Sequence, residues 1–370
     1  MNFVKVENPL KKRMTDVTAS MQAHAIDHLI VAPGPSFVYL TGVGVHASER
    51  LTLFGLRQDG HHAILAPLLE EDNFASCGCS IFTYRDEDGY DKACKAFLDE
   101  LELTKEHVVA VERDQMRLFE LDAIAVSQAR FVEGKAIVME KRLIKDETEI
   151  GWMQKAADIV DQALERTLSL CRVGMTELEL AAELELQMRK LGSQGTPFET
   201  IVGSGYRGAL PHGGPTDKVI VQGELVVIDY GAMVGGYNAD STRTIAFGEP
   251  SFEDRTVYET VRQANEAGIS AVLPGNMAQD VDRAARSCIS LAGYGQYFTH
   301  RTGHGLGLAV HEFPSIMEGN DLVLRPGMVF TVEPGIYIPS RVGVRIEDDV
   351  VVTEDGFSLL THFSKELIIV

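Results

Sequence analysis

Apolar residues recur at spacings of three and four through Leu10, Met14, Val17, Met21 and Ala25, which predicts an amphipathic helix over residues 7–28. Four short apolar runs follow at 28–32, 36–40, 51–56 and 62–65, broken by Pro and Gly, and predict strands. The pattern then alternates: IFTY at 81–84 precedes a helix over about 90–102, and HVVAVE at 107–112 precedes a helix over about 115–128. Alternation of this kind predicts a smaller α/β domain, taken as residues 1–133. Residues 134–145 are short and charged and read as a linker, leaving 146–370 as the second domain. Its first helix follows Asp146 and puts Ile150, Met153, Ala157, Val160 and Leu164 on one side. Thr176 and Glu179 form a capping-box pattern that starts a second helix, running to about Leu191. Two more helices are expected near 253–272 and 278–292, and with the hairpins described next they make the chain α+β.

In LVVIDYGAMVGGYNADSTRT (225–244) an apolar run, a Gly pair and a Thr-rich run predict two antiparallel strands. Asp229 and Asp240 then lie within a residue of register on neighbouring strands. Farther on, VFTVEPGIYIPSRVGVRIEDDVVVT reads as strand, turn, strand, and folding it about Ser340 sets Glu333 opposite Glu347. Like charges directly opposite on a sheet are destabilising. Two such pairs in Val- and Ile-rich strands call for cations, because an unpaired buried carboxylate is costly.

Composition narrows the classes. A formal net charge of -20 opposes phosphate backbones, so nucleic acid is excluded as the main partner. The first fifteen residues hold no apolar leader core, and no uncharged apolar run reaches eighteen; a cytoplasmic protein without a membrane partner is the expectation. Five scattered cysteines, Cys77, Cys79, Cys94, Cys171 and Cys288, form no CxxC pair and read as reduced thiols.

Between the hairpins lies HRTGHGLGLAVHEFP (300–314), where Gly303, Gly305 and Gly307 leave His304 little crowded. Asp229, Asp240, His304, Glu333 and Glu347 are then a candidate ligand set. It exceeds the three protein ligands usual for one catalytic zinc and suits two metals with bridging carboxylates, Mn, Co, Fe or Zn rather than copper. A water activated between such ions makes hydrolysis the natural reaction.

The blocks DYGAMVGGYNADSTRT, HRTGHGLGLAVHE, TVEPGIYIP and GVRIEDD resemble those of the M24 metallopeptidases, the pita-bread fold of methionine aminopeptidase, aminopeptidase P and prolidase. The spacing of the five ligands is similar to that of prolidase, and FVYLTG with ERLTLF is loosely similar to the creatinase-type N-terminal domain. The resemblance implies that Asp229 binds one metal, that Asp240 and Glu347 bridge, and that His304 and Glu333 bind the second, manganese before cobalt, zinc or iron. It implies Glu333 as proton handler and His212 and His311 as partners of the substrate carbonyl and leaving nitrogen. Arg345 shares strand parity with Glu347 and is a candidate to orient a carboxylate or hold substrate; Phe198 and Tyr237 are candidates for the apolar wall of a proline pocket, with a core role favoured for Tyr237. Ser315 stands where some prolidases carry an Arg that receives the dipeptide carboxylate; Arg207 or a residue of the N-terminal domain is a candidate substitute, with acceptance of longer peptides as the alternative.

The implied activity is hydrolysis of Xaa-Pro bonds, as a dipeptidase acting on small peptides, in a homodimer. Aminopeptidase P action on longer peptides is the alternative, followed by creatinase-like or ectoine hydrolase-like cleavage of a small amide, and by a peptide-binding module without catalysis.

Overall fold

The computed structural model describes residues 9–370 and divides into two compact units, one ending at Arg142 and the other spanning Leu143–Val370. The first unit contains α1 (Pro9–Ala23), β1 (His28–Val31), α2 (Pro35–Thr41), β2 (Leu53–Arg57), β3 (His62–Pro67), β4 (Ser80–Tyr84), α3 (Asp91–Glu100), β5 (Val108–Val111), α4 (Leu118–Ala125), β6 (Arg130–Glu133) and α5 (Lys135–Arg142). Its strands form one sheet in the order β4-β3-β2-β1-β5-β6. The β1–β2 and β2–β3 pairs are antiparallel and the other three parallel. The helices of this mixed sheet bury Phe37, Phe97 and Ile124, so the alternation in the sequence reports a genuine α/β layer.

The run 36–40, expected as a strand, is the helix α2. Pro35 sits in its first turn, where a missing N–H is harmless, and Gly42 ends it at φ 72°. Ser36, Phe37, Tyr39, Leu40 and Thr41 are all buried, so no polar face marks the helical period. Within 134–145, expected as a connection, α5 buries Ile137, Val138 and Met139.

The second unit opens with α6 (Glu147–Leu168) and α7 (Glu177–Lys190). Both begin at reciprocal caps: Asp146 accepts from the Glu149 amide and Thr176 from the Glu179 amide, while each glutamate accepts from its cap residue's N–H. These helices cover one face of the three-stranded sheet β7 (Ile201–Ser204), β8 (Glu224–Val234) and β9 (Tyr237–Phe247). Then come α8 (Phe252–Ser270), α9 (Ala278–Leu291), β10 (Gly303–Gly305), β11 (Glu312–Ile316), β12 (Val329–Val332), β13 (Gly335–Ile338), β14 (Val342–Arg345), β15 (Asp348–Val352) and β16 (Phe357–Leu359). Strands β11-β10-β12-β15-β16 form one sheet and β13-β14 a ribbon, linked to β9 through an isolated bridge between Thr242 and Glu347. Among the described residues no helix is long and apolar enough to cross a membrane, and the five cysteines are free thiols.

Candidate metal centre

The β8–β9 hairpin divides its side chains by parity. Ile228, Tyr230 and Ala232, with Tyr237, Ala239 and Ile245, enter the core beneath α6 and α7. Asp229 and Asp240 therefore emerge on the opposite face. Their register is two residues off, Asp229 pairing with Thr242 and Gly231 with Asp240, where an offset within one was expected. The cause is the turn: Val234 pairs with Tyr237 across only Gly235 and Gly236, both at positive φ (61° and 80°), which centres the hairpin between the glycines. An even offset keeps both carboxylates on one face as diagonal neighbours.

The second hairpin folds about Ser340 as expected, with Val332 opposite Asp348 and Gly335 opposite Arg345 in one continuous register. It is nevertheless broken where Glu333 faces Glu347. The Glu333 amide donates to the Thr302 carbonyl at 2.7 Å, and the Glu347 amide donates to the Thr242 carbonyl at 3.0 Å. Glu333 is thus tied to the residue before β10 and Glu347 to β9 rather than to each other, and the ladder opens between them.

His304 arrives from β10 between two glycines that are needed for a reason other than access to a metal. A Cβ on Gly303 would lie 1.8 Å from the Thr331 carbonyl oxygen, and one on Gly305 2.0 Å from that of Phe313. The imidazole is buried, with Nδ1 3.1 Å from the Gly305 carbonyl oxygen. A carbonyl only accepts, so the proton sits on Nδ1 and the Nε2 lone pair is free. That lone pair faces Glu333 Oε1 at 3.3 Å and Asp240 Oδ2 at 3.7 Å. Donor atoms of Asp240, His304 and Glu347 lie within 4.8 Å of one another. Phe198, His212, Asp229, His311 and Glu333 line the same cleft, with His212 and His311 exposed. The His311 ring stands edge-on to His304, centroids 4.2 Å apart.

Arg345 is buried and meets Asp229 through Nη2; it also donates to Tyr337 Oη at 2.8 Å, the Thr242 hydroxyl at 3.2 Å and the Pro211 carbonyl at 3.3 Å. Thr242 in turn donates to Glu347 at 2.6 Å, so one guanidinium braces Asp229, Glu347 and the backbone beside His212. Arg207 is committed elsewhere: it holds Glu177 at 2.9 Å and the Gly214 carbonyl at 2.7 Å, correcting its candidacy as a carboxylate receptor. Tyr237 is a core residue whose hydroxyl donates to Glu149 at 2.6 Å.

Burial, then the neighbouring Glu347 and Asp229, drives the Asp240 carboxyl well above its usual range; burial, then Glu333 and Asp229, does the same to Glu347. Burial also pushes Glu333 up to about 7 and His304 down to about 3, the latter helped by His311. Oδ1 of Asp229 and Oδ1 of Asp240 are buried without a hydrogen-bond partner. Acceptor lone pairs converging on one another are reconciled by a cation, and oxygen donors with one imidazole fit a hard or borderline divalent ion.

Residues 151–354, more than half of the chain, match the model of metallopeptidase family M24. The chain belongs to that family. Residues 13–144 of this M24 protein match the creatinase/prolidase N-terminal domain. It is 40% identical to an Xaa-Pro dipeptidase of Lactobacillus helveticus over 339 residues, 90% of this chain and 92% of that protein. Among solved structures, a prolidase from Thermococcus sibiricus shares 36% identity with a TM-score of 0.94, over 98% of this chain and all of that one. An X-Pro aminopeptidase from Thermotoga maritima shares 32% with a TM-score of 0.86, over 96% and 99%. The expected architecture, a pita-bread metallopeptidase domain behind a creatinase-type N-terminal domain, is the one observed.

The sequence reading of this M24 chain missed His300, whose Nε2 is 2.8 Å from Tyr337 Oη and which thereby joins the Arg345 network. Its place in the same glycine-rich segment as His304 was the available signal. It also missed the buried ion pair of Lys145 and Glu312 at 3.1 Å, since nothing in the two segments announces that they meet.

Proposed function

We propose that the chain hydrolyses Xaa-Pro dipeptides with two divalent ions, manganese first, held by Asp229, Asp240, His304, Glu333 and Glu347. The observation that carries this reading is the neutral His304 Nε2 facing Asp240 and Glu333, neither of which pairs with a lysine or arginine among the described residues. When bound, the ions supply an acidified water and positive charge for the scissile carbonyl. By the family resemblance Asp240 and Glu347 would be the shared ligands, with Asp229 holding the first ion and His304 and Glu333 the second.

Glu333, beside His304 in the cleft, would accept the proton shed by the attacking water and pass it towards the leaving nitrogen. His311, kept neutral mainly by burial, offers an N–H to the tetrahedral intermediate, and His212 does so from the facing loop. Phe198 forms the apolar wall for the proline ring. Arg345 orients Asp229 and is too fully bonded to be the primary substrate contact. An Xaa-Pro bond has no N–H for a peptidase to grip, so ions, imidazoles and a shaped pocket suit it. The Lactobacillus helveticus relative supports the dipeptidase reading, and the Thermotoga maritima structure supports aminopeptidase action as the second. The family resemblance also supports a homodimer, which sedimentation equilibrium reads directly.

The test is a panel of Xaa-Pro dipeptides against Xaa-Pro tripeptides after chelation, with Mn, Co or Zn added back. Metal-dependent cleavage of the dipeptides is expected to dominate. Preference for the tripeptides selects the aminopeptidase reading, and full activity without metal refutes both.

A further inference from the structure

Helix α8 turns an apolar face to the core through Val257, Val261, Ala264 and Ile269, and Asn265 stands in the middle of that face, fully buried. An asparagine weakens a helix interior, and a buried carboxamide is costly unless it is hydrogen-bonded. Three partners satisfy this one. Lys365 Nζ donates to Oδ1 at 2.9 Å, and because an ammonium only donates, the contact fixes which end of the amide is oxygen. Nδ2 then donates to the Val332 carbonyl at 2.9 Å and to the Ile346 carbonyl at 3.2 Å. Gly268, three residues on, lets the helix come this near, since a Cβ there would lie 2.9 Å from Cγ1 of Val332.

The two carbonyls belong to the residues that precede Glu333 and Glu347, one on each arm of the hairpin. A hydrogen-bonded pair in an antiparallel ladder exchanges two N–H···O bonds. In the register that sets Val332 against Asp348 and Gly335 against Arg345, Ile346 faces Pro334. The Ile346 amide reaches the Pro334 carbonyl at 3.5 Å, but proline has no N–H to return, so the Ile346 carbonyl lacks its ladder donor. Asn265 supplies that donor, and with the same NH2 group takes hold of the other arm. Lys365 also donates to Asp348 Oδ2 at 2.9 Å, and Arg243 joins Asp348 to the Glu347 carbonyl, so the brace continues to the main chain of Glu347 itself.

We infer that Asn265, locked by Lys365, is a positioning residue of the metal centre: its amide sets how far apart the main chains of Glu333 and Glu347 stand, and so whether both carboxylates serve the same pair of ions. This rests on the metal centre of the proposed function and deepens it. On the strands Asn265 bonds main chain alone, so it acts through the two glutamates rather than on substrate. A leucine of similar bulk would fill the space but leave the hairpin without a fixed width where proline interrupts its ladder.

The experiment titrates chelated full-length wild type, Asn265→Leu, Lys365→Met and Val257→Ala with manganese, counts the free ion by its paramagnetic resonance signal, and follows Ala-Pro hydrolysis and thermal unfolding in each. Loss of a group that orients ligands predicts a rise of roughly 10- to 100-fold in the dissociation constant of the weaker-bound ion in Asn265→Leu. The kcat at fixed manganese should fall with it and recover in part with excess ion, while KM for Ala-Pro stays near the wild-type value. Lys365→Met, in which the carboxamide is free to turn over, should show the same change to a smaller extent. Val257→Ala opens a cavity on the same buried face of α8 and should lower the melting midpoint with both ions bound as in wild type. If Asn265→Leu melts lower but binds both ions and turns over like Val257→Ala, Asn265 is structural only and the inference falls. Should the leucine variant not fold, the same result in Asn265→Ala and Lys365→Met overturns it. A wild type that binds two ions yet cleaves no Xaa-Pro peptide ends the peptidase reading, while loss of the weaker ion in Asn265→Leu still upholds the inference. A wild type that binds no manganese overturns both.

Discussion

Arg345 holds Oδ2 of Asp229 while Oδ1 of the same carboxylate is buried without a hydrogen-bond partner. One oxygen is fixed by the protein and the other is left to face the cleft. Groups that orient a ligand in this way are worth about 10- to 100-fold in metal affinity or activity. Arg345→Met should therefore weaken metal binding or turnover by roughly that factor. Arg345→Lys should recover little, because an ammonium cannot also span Tyr337, Thr242 and the Pro211 carbonyl. Metal titration followed by calorimetry, with kcat at saturating metal, separates the two effects.

Removing the ions should lower stability, since the acids they pair are then left to repel one another. A ligand at 100 times its dissociation constant adds about 2.7 kcal/mol to the folded state. The thermal midpoint should rise on adding Mn to chelated wild type and stay flat in Asp240→Asn and Glu347→Gln. In the metal-free state those two variants should melt above wild type, because each removes a buried like charge. A wild-type midpoint indifferent to manganese would count against the metal centre.

His311 stands edge-on to His304 but is exposed and lies outside the cluster of Asp240, His304 and Glu347. His311→Ala should cut kcat by about 10²- to 10³-fold, as for loss of one donor to a developing oxyanion. Bound metal, counted by elemental analysis, should be unchanged. Loss of metal in this variant would make His311 a ligand.

Glu177, the first residue of α7, pins the loop that carries His212 from both sides. It accepts from the Ser204 amide and hydroxyl at 2.8 Å each, from the Thr216 amide and hydroxyl at 3.0 and 2.8 Å, and from Arg207 at 2.9 Å. Burial alone would raise its carboxyl, but these donors outweigh it and hold Glu177 below the ordinary glutamate value. A carboxyl more acidic folded than unfolded stabilises fully above its unfolded value of about 4.3, and that contribution fades as pH falls through the lower folded one. Glu177→Ala, which leaves Arg207 without its partner, should cost on the order of 3 kcal/mol near neutral pH. The gap to wild type in urea midpoint should narrow below roughly pH 4.

Much of this was legible because local chemistry and tertiary structure agree. The caps at Asp146 and Thr176 name their helices, and the folding point at Ser340 sets the hairpin register correctly. Agreement ends where contacts distant in sequence decide. The α2 run has no exposed residue, so its period is invisible. The two-residue Gly turn shifts Asp229 against Asp240 by geometry that residue types alone leave open between neighbouring registers. The break at Glu333 and Glu347 depends on Thr302 and Thr242, which the hairpin's own sequence does not contain. Five candidate ligands were named from spacing and resemblance; three of them form the tight cluster, Glu333 touches His304, and Asp229 is drawn towards Arg345.

That break also separates two mechanical jobs. Because the main chain of each glutamate is anchored to a segment outside the hairpin, the exposed tip at Pro339, Ser340 and Arg341 bears no load for the two glutamates. Tags, dyes or grafted loops inserted at the tip have somewhere to dissipate their distortion before it reaches the two glutamates.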